Sequence, residues 1–415
     1  MFNVDKQKFA YRTVYAAISM LCILTLRFPF VIVFFEVIFM FEQTKALCDA
    51  FLKMGIPALD LMVCKDGECV FRYIKGYADP ENKIPMTGKE KYHIYSASKL
   101  FTCVAAMQLW EKGLFSLDDE LGKYIPAYKE MTVKTENGIE KAKNPIRIHH
   151  LFEMTSGMNY ALSTPELLEY YKTSRCPTLE LVQELAKRPL DFEPGTRWQY
   201  SLSHDVLAAL VEVLSGQKFE DYAKQHIFDP LGMTNTDFLH PIEDWEGFAR
   251  QYKYHSDTGE FEPWWKNAYR PGPDYASGGA GCVSSVEDYM KFLEALRIGD
   301  VILKTETIDL MATNRLTEQQ LTTYTQNVNG LGYGLGMRTP RIAPDRQEFG
   351  WGGAAGVLCY VDKERGVSVY YGQHVLLSPN MNLRKWIYFV IRADMEGRTY
   401  QIPGLDLPND PQITY

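Results

Sequence analysis

The sequence lacks the patterns that indicate several common classes of protein. Its 44 basic and 52 acidic residues give a net charge of −8, and no basic stripe stands out, which disfavours nucleic-acid binding. Beyond the first 41 residues no apolar run approaches the ~18 residues that a membrane-spanning helix needs, which excludes a polytopic membrane protein. The sequence has no internal repeat and no low-complexity segment. With 46% hydrophobic and 23% charged residues, the chain has an ordinary globular composition.

Motifs for metal, nucleotide and redox chemistry are missing as well. None of the eight histidines lies in an HExxH pattern, and the sequence contains neither a P-loop nor a GxSxG motif. We therefore expect no metal ion, no cofactor and no nucleic-acid partner. The eight cysteines form no CxxC pair, and several lie in apolar stretches. Such cysteines are typical of reduced core residues in a cytosolic protein.

The first 41 residues differ from the rest of the chain. A basic start precedes an apolar run over residues 14–26, and a second run, 30–41, is broken only by Glu36. Three interpretations stay open. Residues 1–39 could be an extension upstream of a functional start at Met40, residues 14–41 could be a membrane anchor, or a signal could be cleaved. An anchor over 14–41 would place Arg27 and Glu36 in hydrocarbon, at ~2.5–3.5 kcal/mol each near its centre. We predict a cytoplasmic protein, with membrane anchoring as the alternative.

Strand patterns occur at both ends of the chain and helical patterns lie in the middle. Residues 58–64 and 68–76 are joined by an Asp-Gly turn, which is a strong hairpin signal. The other predicted strands are 332–338, 347–351, 356–361 and 367–372. The predicted helices are 96–112, 148–154, 165–172, 179–187, 203–215, 219–227, 286–298 and 383–395. Residues 118–143 are expected to be irregular, and residues 240–280 are expected to be rich in loops and aromatic side chains.

This order predicts an α/β protein of the α+β type. Its antiparallel sheet would be built from both chain ends and flanked by helices, with a mainly helical lobe inserted between them. We expect one main domain over residues 40–398. Its α/β lobe would comprise about 40–95 and 280–398, and its helical lobe about 96–279. Residues 399–415 contain three prolines and are expected to form a tail.

The most informative stretch is residues 95–99, which reads Tyr-Ser-Ala-Ser-Lys. Tyr-x-x-x-Lys is the active-site pattern of short-chain dehydrogenases, whereas Ser-x-x-Lys is a nucleophile pattern. A dehydrogenase needs a glycine-rich dinucleotide turn after its first strand. The glycines before residue 95 are too far apart to form that turn, so the serine–lysine interpretation is favoured.

The serine–lysine interpretation makes chemical sense. Ser96 and Lys99 are three residues apart and would share one face of a helix. That helix is almost entirely apolar, so its first turn should be buried, and burial disfavours the charged form of an amine. Lys99 could then accept the proton of Ser96, and the helix N-terminus could bind an oxyanion. In a purely structural alternative, Ser96 caps the helix and Lys99 extends to solvent.

Two further segments carry candidate residues. Tyr200 lies just before the predicted helix 203–215, where its phenol could project into a cleft. Residues 350–356 read Gly-Trp-Gly-Gly-Ala-Ala-Gly between two predicted strands, and such glycines allow a substrate to approach the backbone closely. The structural alternatives are a core tyrosine and a tight hairpin or bulge.

Taken in order, these segments resemble the β-lactamase-related serine hydrolases, which include class C β-lactamases, DD-peptidases and family VIII carboxylesterases. The resemblance runs from about residue 58 to about residue 395 and implies a β-lactamase/DD-peptidase-like fold. The matching segments are 96–99, 114–119, 148–157, 192–200, 277–281 and 350–356.

The resemblance also implies roles for individual residues. Ser96 would attack a carbonyl carbon and form an acyl-enzyme, and Lys99 would accept its proton. Tyr200 would relay a proton to the leaving group and help to activate the deacylating water. The backbone N–H groups of Ser96 and Ala354 would form the oxyanion hole.

Two departures from the β-lactamase pattern narrow the substrate. Tyr-x-Asn is replaced by Tyr200-Ser201-Leu202, and the usual lysine of the third motif is replaced by Trp351 before Gly352 and Gly353. Both changes are similar to family VIII esterases, so we predict a carboxylesterase for uncharged substrates with apolar parts. The residues expected to bind substrate are Trp198, Leu202, Trp351, Gly352 and Gly353.

Additional pocket-lining candidates are Trp264, Trp265 and Tyr275. Asp205 also fits the family VIII pattern, but we expect it to cap or charge the first turn of its helix. A β-lactamase or D-amino-acid peptidase of the same fold stays open, as does a sensor that binds an acyl group without turnover. The expected partner is a small ester or amide, and the oligomeric state is not indicated.

Overall fold

The computed structural model describes residues 41–325, 330–341, 347–402 and 405. The predicted N-terminal extension or anchor over residues 1–39 and 14–41 therefore lies outside the described residues, apart from Phe41. Among the residues that are described, no helix combines the length and the apolar character needed to cross a bilayer. Residue contacts divide the chain into two compact units, one formed by the segments before Phe51 and after Arg384, the other by Phe51–Arg384.

The described strands and helices follow the chain in this order. The strands are Ala58–Lys65 (β1), Glu68–Asp79 (β2), Ile84–Pro85 (β3), Lys91–His93 (β4), Thr132–Thr135 (β5), Gly138–Lys141 (β6), Tyr252–His255 (β7), Glu260–Pro263 (β8), Val283–Ser285 (β9), Gly332–Tyr333 (β10), Arg338–Thr339 (β11), Phe349–Gly352 (β12), Leu358–Asp362 (β13), Val367–Gly372 (β14) and Val375–Leu376 (β15). The α-helices are Glu42–Lys53 (α1), Ser98–Glu111 (α2), Ile148–Phe152 (α3), Pro165–Thr173 (α4), Thr178–Leu185 (α5), Ser203–Ser215 (α6), Phe219–Ala223 (α7), Val286–Ile298 (α8), Thr305–Met311 (α9), Glu318–Leu321 (α10), Met381–Arg384 (α11) and Ile387–Met395 (α12).

The main sheet of the larger unit joins strands from both ends of that unit. Within the described ranges its order is β10-β11-β12-β13-β14-β1-β2-β3, and every pairing is antiparallel. Strand β1 pairs with β14, with Asp60 opposite Gly372. This pairing joins the strands from the start of the unit to the strands from its end. The predicted antiparallel sheet built from both chain ends is confirmed.

Helix α2 is the centre of the core. Its residues from Ser98 to Met107 are all buried, as expected for a helix whose sequence is apolar on every side. The ring of Phe101 lies 5.0 Å from that of Phe228 and 4.5 Å from that of Phe292 on α8. Gly216, with φ of +70°, ends α6 in the left-handed conformation that favours glycine. Helices α6 and α8 belong to the same core as α2. This core holds the start of α2, where the serine–lysine motif lies, in place.

Several local expectations are wrong. Residues 129–143 were expected to be irregular but contain the mostly exposed hairpin β5–β6, whose two-residue turn, Glu136-Asn137, precedes Gly138. The hairpin β7–β8 lies within the segment 240–280, which was expected to be loop-rich. The predicted strand 332–338 is interrupted at Gly336, where φ is +88°, and the last helix is two helices, α11 and α12. The strands of both hairpins are only four residues long, so their periodicity is a weak signal.

In the smaller unit, one carboxylate links the segment before Phe51 to the segment after Arg384. Asp394 on α12 accepts hydrogen bonds from Thr44 N at 2.7 Å and Thr44 Oγ1 at 2.6 Å, and from Gln43 Nε2 at 2.8 Å. The carboxylate therefore satisfies a free N–H group in the first turn of α1. Burial raises the pKa of Asp394, against the effect of these hydrogen bonds.

Candidate active site

Ser96 lies in a tight 3₁₀ turn, residues Tyr95–Ala97, between β4 and α2. The helix was expected to start near Ser96, but its α-helical part begins only at Ser98. Tyr95 has φ of +48°, an unusual conformation for a bulky residue, and its hydroxyl donates to Gln251 Oε1 at 2.8 Å. Both side chains are fully buried, so the residue before Ser96 is held in this conformation by the core.

The hydroxyl of Ser96 is contacted by both predicted partners. Tyr200 Oη donates to Ser96 Oγ at 2.6 Å, and Lys99 Nζ lies 3.4 Å from the same atom. Tyr200 comes from the segment before α6, more than a hundred residues along the chain. The structure therefore brings Ser96, Lys99 and Tyr200 together, although Ser96 and Lys99 do not belong to one regular helix.

Lys99 does not extend to solvent as in the structural alternative. Its side chain has no exposed area, and its Nζ donates to Gly279 O at 2.7 Å and to Tyr160 Oη at 3.3 Å. The same nitrogen lies 4.6 Å from the centre of the Tyr200 ring, within the range of a cation–π contact. The lysine is thus fixed by acceptors on several sides and directed at Ser96.

Tyr160 is a site residue that the sequence interpretation missed. Its ring is stacked on that of Tyr200, with centres 5.3 Å apart and planes 5° from parallel. Burial raises the pKa of Tyr160 well above its usual value, with smaller contributions from Asp205, Tyr200 and Tyr269. Its position just after the matching segment 148–157 was a signal that could have drawn attention to it.

Asp205 lies in the first turn of α6, as expected, but its carboxylate does not cap the helix. Its Oδ1 accepts hydrogen bonds from Tyr275 Oη at 2.8 Å and from Ser277 Oγ at 2.6 Å. Burial raises the pKa of Asp205, and the bond from Ser277 and the charge of Lys99 act in the opposite direction. Tyr275, expected to line a pocket, is instead fully buried beneath this carboxylate.

The glycine-rich segment lies against the start of the serine turn. A side chain at Gly353 would place its Cβ 2.2 Å from Ile94 O, so only glycine allows this approach. The N–H of Gly353 donates to Val357 O at 2.8 Å. Ala354 is exposed, and its N–H has no acceptor within the part of the chain that the structure describes. This free donor agrees with its predicted place in an oxyanion hole, which stays a prediction.

The other predicted substrate-binding residues lie in different surroundings, and only some of them are next to Tyr200. Trp351, 6% exposed, stacks on Tyr200 with ring centres 6.0 Å apart, and Gly352 follows it at the edge of the site. Trp198 is buried behind Tyr200, against the ring of Tyr324 at 4.9 Å. Leu202 is 2% exposed and packs in a separate apolar cluster, so its part in binding substrate stays a prediction.

A loop over residues 264–269 forms another side of the site. Gln251 Nε2 donates to Trp264 O at 3.3 Å and to Lys266 O at 3.2 Å, which links this loop to Tyr95. Tyr269 at the end of the loop packs edge-on against Tyr95 and against Tyr160. Trp265 is 46% exposed. Nothing in the sequence pattern had indicated Gln251 or Tyr269, because they reach the site only through the folding of the loop.

Among the residues that the structure describes, no group of three or more histidine, cysteine, aspartate or glutamate side chains could hold a metal ion. A buried lysine and a tyrosine hydroxyl that converge on one serine hydroxyl are the arrangement of a serine hydrolase. The comparisons with known proteins agree with this class.

A family model described as Beta-lactamase matches residues 44–375, and the chain belongs to this family. Esterase EstB of Burkholderia gladioli is 28% identical over 343 residues, which cover 74% of this chain and 83% of EstB. The ML-236A carboxylate methylbutanoyltransferase mlcH of Penicillium citrinum is 29% identical over 284 residues, covering 65% of this chain and 66% of the transferase. The solved structure of EstCE1, a hydrolase with promiscuous acyltransferase activity, has a TM-score of 0.73 at 24% identity and covers 86% of this chain and 99% of EstCE1. The protein is thus a serine hydrolase of the β-lactamase fold.

Proposed function

We propose that the protein hydrolyses carboxylic esters through an acyl-enzyme on Ser96. The observation that carries this proposal is the convergence of Tyr200 Oη, at 2.6 Å, and Lys99 Nζ, at 3.4 Å, on Ser96 Oγ. Both distances lie within reach of proton transfer once a substrate is bound. The esterase name of a relative that covers most of the chain supports the ester as substrate.

The proposed reaction has two halves. Lys99 accepts the proton of Ser96 as its oxygen attacks the carbonyl carbon, and the backbone N–H groups of Ser96 and Ala354 bind the resulting oxyanion. Tyr200 passes a proton to the departing alkoxide, which leaves as the alcohol. A water molecule then attacks the acyl carbon, gives up a proton through Tyr200 and Lys99, and releases the acid with Ser96 restored.

The proposed substrate is uncharged and has an apolar part. Trp351, Tyr200 and Tyr160 present aromatic rings around Ser96, and Trp351 stands where β-lactamases usually have a lysine. Leu202, at the position of the β-lactamase asparagine, is buried and offers no amide. A site without these polar groups discriminates weakly in favour of a β-lactam or a peptide carboxylate.

A second candidate reaction is acyl transfer to an alcohol instead of water. It uses the same acyl-enzyme, and the observation that favours it is the transferase name of a relative 29% identical over 284 residues. Product analysis with a short alcohol present separates the two reactions. A transferase gives mainly the new ester, whereas a hydrolase gives mainly the acid.

The test uses the purified full-length protein and p-nitrophenyl esters of increasing acyl length. We expect turnover by the native protein and none above background for Ser96→Ala. The matched control is Ser98→Ala, which removes a buried hydroxyl two residues away that accepts from Cys282 N at 3.0 Å. Labelling with a fluorophosphonate should modify Ser96 alone.

Three outcomes would contradict the proposal. Full activity in Ser96→Ala would exclude the acyl-enzyme mechanism. Faster turnover of nitrocefin than of any ester would support a β-lactamase. Stable labelling of Ser96 without turnover of any substrate would support an acyl-binding sensor.

A further inference from the structure

Two cysteines lie opposite each other at one end of the main sheet. Cys64 near the end of β1 pairs directly with Cys69 at the start of β2. Directly opposed residues of an antiparallel pair share one face, with Cβ atoms ~4.5–5.5 Å apart, close to the ~3.5–4.5 Å of a disulfide. The register shifts between Val63 and Cys64, and such a bulge bends the strand locally. The backbone therefore holds the two thiols within reach of each other.

The surroundings of the two thiols are unequal. Cys64 is 3% exposed, whereas Cys69 is exposed. The neighbouring Cys69 thiol, together with burial, raises the pKa of Cys64. The Cys64 thiol and the charge of Arg72 lower the pKa of Cys69, against opposing effects of desolvation and Glu287. Other charged groups close to the pair are Glu294 and Arg297 on α8, and Lys65, Asp66 and Glu68 of the hairpin itself.

We propose that Cys69 and Cys64 form a peroxide-sensitive dithiol, in which Cys69 is oxidised first and Cys64 resolves it. The Cys69 thiolate attacks one oxygen of hydrogen peroxide, the O–O bond breaks, and the products are a sulfenic acid and hydroxide. The Cys64 sulfur then attacks the Cys69 sulfur, and the sulfenic oxygen leaves as water with the proton of Cys64. Two thiols lose two electrons, and one peroxide becomes two waters.

This site is separate from the proposed active site. The turn between β1 and β2 contacts the turn before β14, with Asp66 N donating to Gly366 O at 2.7 Å. The opposite end of β14 is the one near the serine turn, since a Cβ on Gly372 would lie 3.5 Å from the ring of Tyr92. Ester hydrolysis by Cys69→Ser should therefore equal that of the native protein. The test of the dithiol is thus independent of the test of the proposed function.

The test treats the full-length protein with hydrogen peroxide, blocks the remaining thiols with N-ethylmaleimide and maps peptides without reduction. Trypsin cleaves after Lys65, so a Cys64–Cys69 disulfide appears as two joined peptides. We expect this product in the native protein and in the control Cys176→Ser, which removes a buried cysteine elsewhere. In Cys64→Ala the reaction should stop at a sulfenic acid on Cys69, which dimedone traps.

A second measurement follows the rate of alkylation of Cys69 against pH. The midpoint should lie below ~8.5, the value of a free cysteine, in the native protein and rise toward it in Cys64→Ala. The proposal would be overturned if other cysteines of the native protein were oxidised before Cys64 and Cys69. Equal midpoints in the two proteins would overturn the role of Cys64.

Discussion

Two buried polar side chains stand at equal distances along the chain from Ser96, His93 three residues before it and Lys99 three residues after it. His93 is 7% exposed and Lys99 is fully buried. Around Lys99 the neighbours are oxygen atoms, namely Gly279 O, Tyr160 Oη and Ser96 Oγ. Around His93 the neighbours are rings, with Trp245 at 5.1 Å and Phe248 at 5.3 Å.

This difference has a chemical consequence. Burial lowers the pKa of His93 well below its usual value, and lowers that of His374 to about 4 against the effect of its hydrogen bond to Ala249 O. Both histidines are therefore neutral at pH 7 and serve packing, with His93 N donating to His374 Nε2 at 3.2 Å. Lys99 has acceptors and a nucleophile instead. Burial alone does not make a side chain catalytic. The groups that contact it determine whether it can take part in the reaction.

The largest effect on activity is expected for Lys99→Met, which keeps the volume of the side chain and removes the amine. We expect kcat/KM for an aryl ester to fall by about 10³-fold, within the range for general acid–base groups. His93→Phe is the matched control, since it keeps a ring among rings, and it should retain activity. Similar losses in both variants would mean that Lys99 is only structural.

The next effect is expected for Tyr200→Phe, which keeps the ring stacked between Tyr160 and Trp351 and removes the hydroxyl. We expect kcat to fall by about 10²-fold, with a much smaller change of KM, because a proton relay acts in the transition state. Tyr324→Phe removes a buried hydroxyl that donates to Gly332 O at 3.3 Å and serves as the control. An increase of KM at unchanged kcat would assign Tyr200 to binding alone.

A smaller effect is expected for Gln251→Leu, which removes the acceptor of Tyr95 and the two bonds to the loop 264–269. We expect kcat to fall roughly fivefold, which corresponds to about 1 kcal/mol of transition-state stabilisation, because the serine turn loses this support. Tyr95→Phe removes one of the same bonds, so the two changes combined should cost less than their sum. Strict additivity in this double-mutant cycle would show that Gln251 does not act through Tyr95.

The smallest effect on catalysis, and a distinct effect on stability, is expected from the histidines. The folded-state pKa of His374, about 4, lies below the unfolded value of ~6.5. Between these pH values the unfolded chain binds more protons, so the free energy of unfolding falls as the pH is lowered from 6.5 to 4. For His374 alone this amounts to about 3 kcal/mol.

Denaturant unfolding at a series of pH values measures this slope. His374→Gln should flatten it between pH 6.5 and 4 while leaving kcat at pH 7 unchanged. An unchanged slope in this variant would assign the acid sensitivity to other groups, such as His150 and His204, whose pKa values burial lowers to about 3.

Patterns that depend on near neighbours in the chain were predictable. The β1–β2 hairpin follows from its Asp-Gly turn, and α2 and α6 follow from their apolar residues and the glycines after them. The hairpins β5–β6 and β7–β8 escaped notice because each of their strands is only four residues long, which is too short for a clear periodicity. For the site, Ser96, Lys99 and Tyr200 could be selected from short motifs. Tyr160 was indicated only by its place after a matching segment, and Gln251 and Tyr269 belong to no motif.

The sequence by itself determined the class of fold, the family and the three side chains that meet at Ser96, because these depend on short motifs in a specific order. Only the tertiary structure decided what surrounds them. Asp205 bonds to Tyr275 and Ser277, which are 70 and 72 residues further along the chain, and Lys99 donates to Gly279 O, 180 residues away. Local side-chain patterns carry no sign of contacts between residues so distant in sequence.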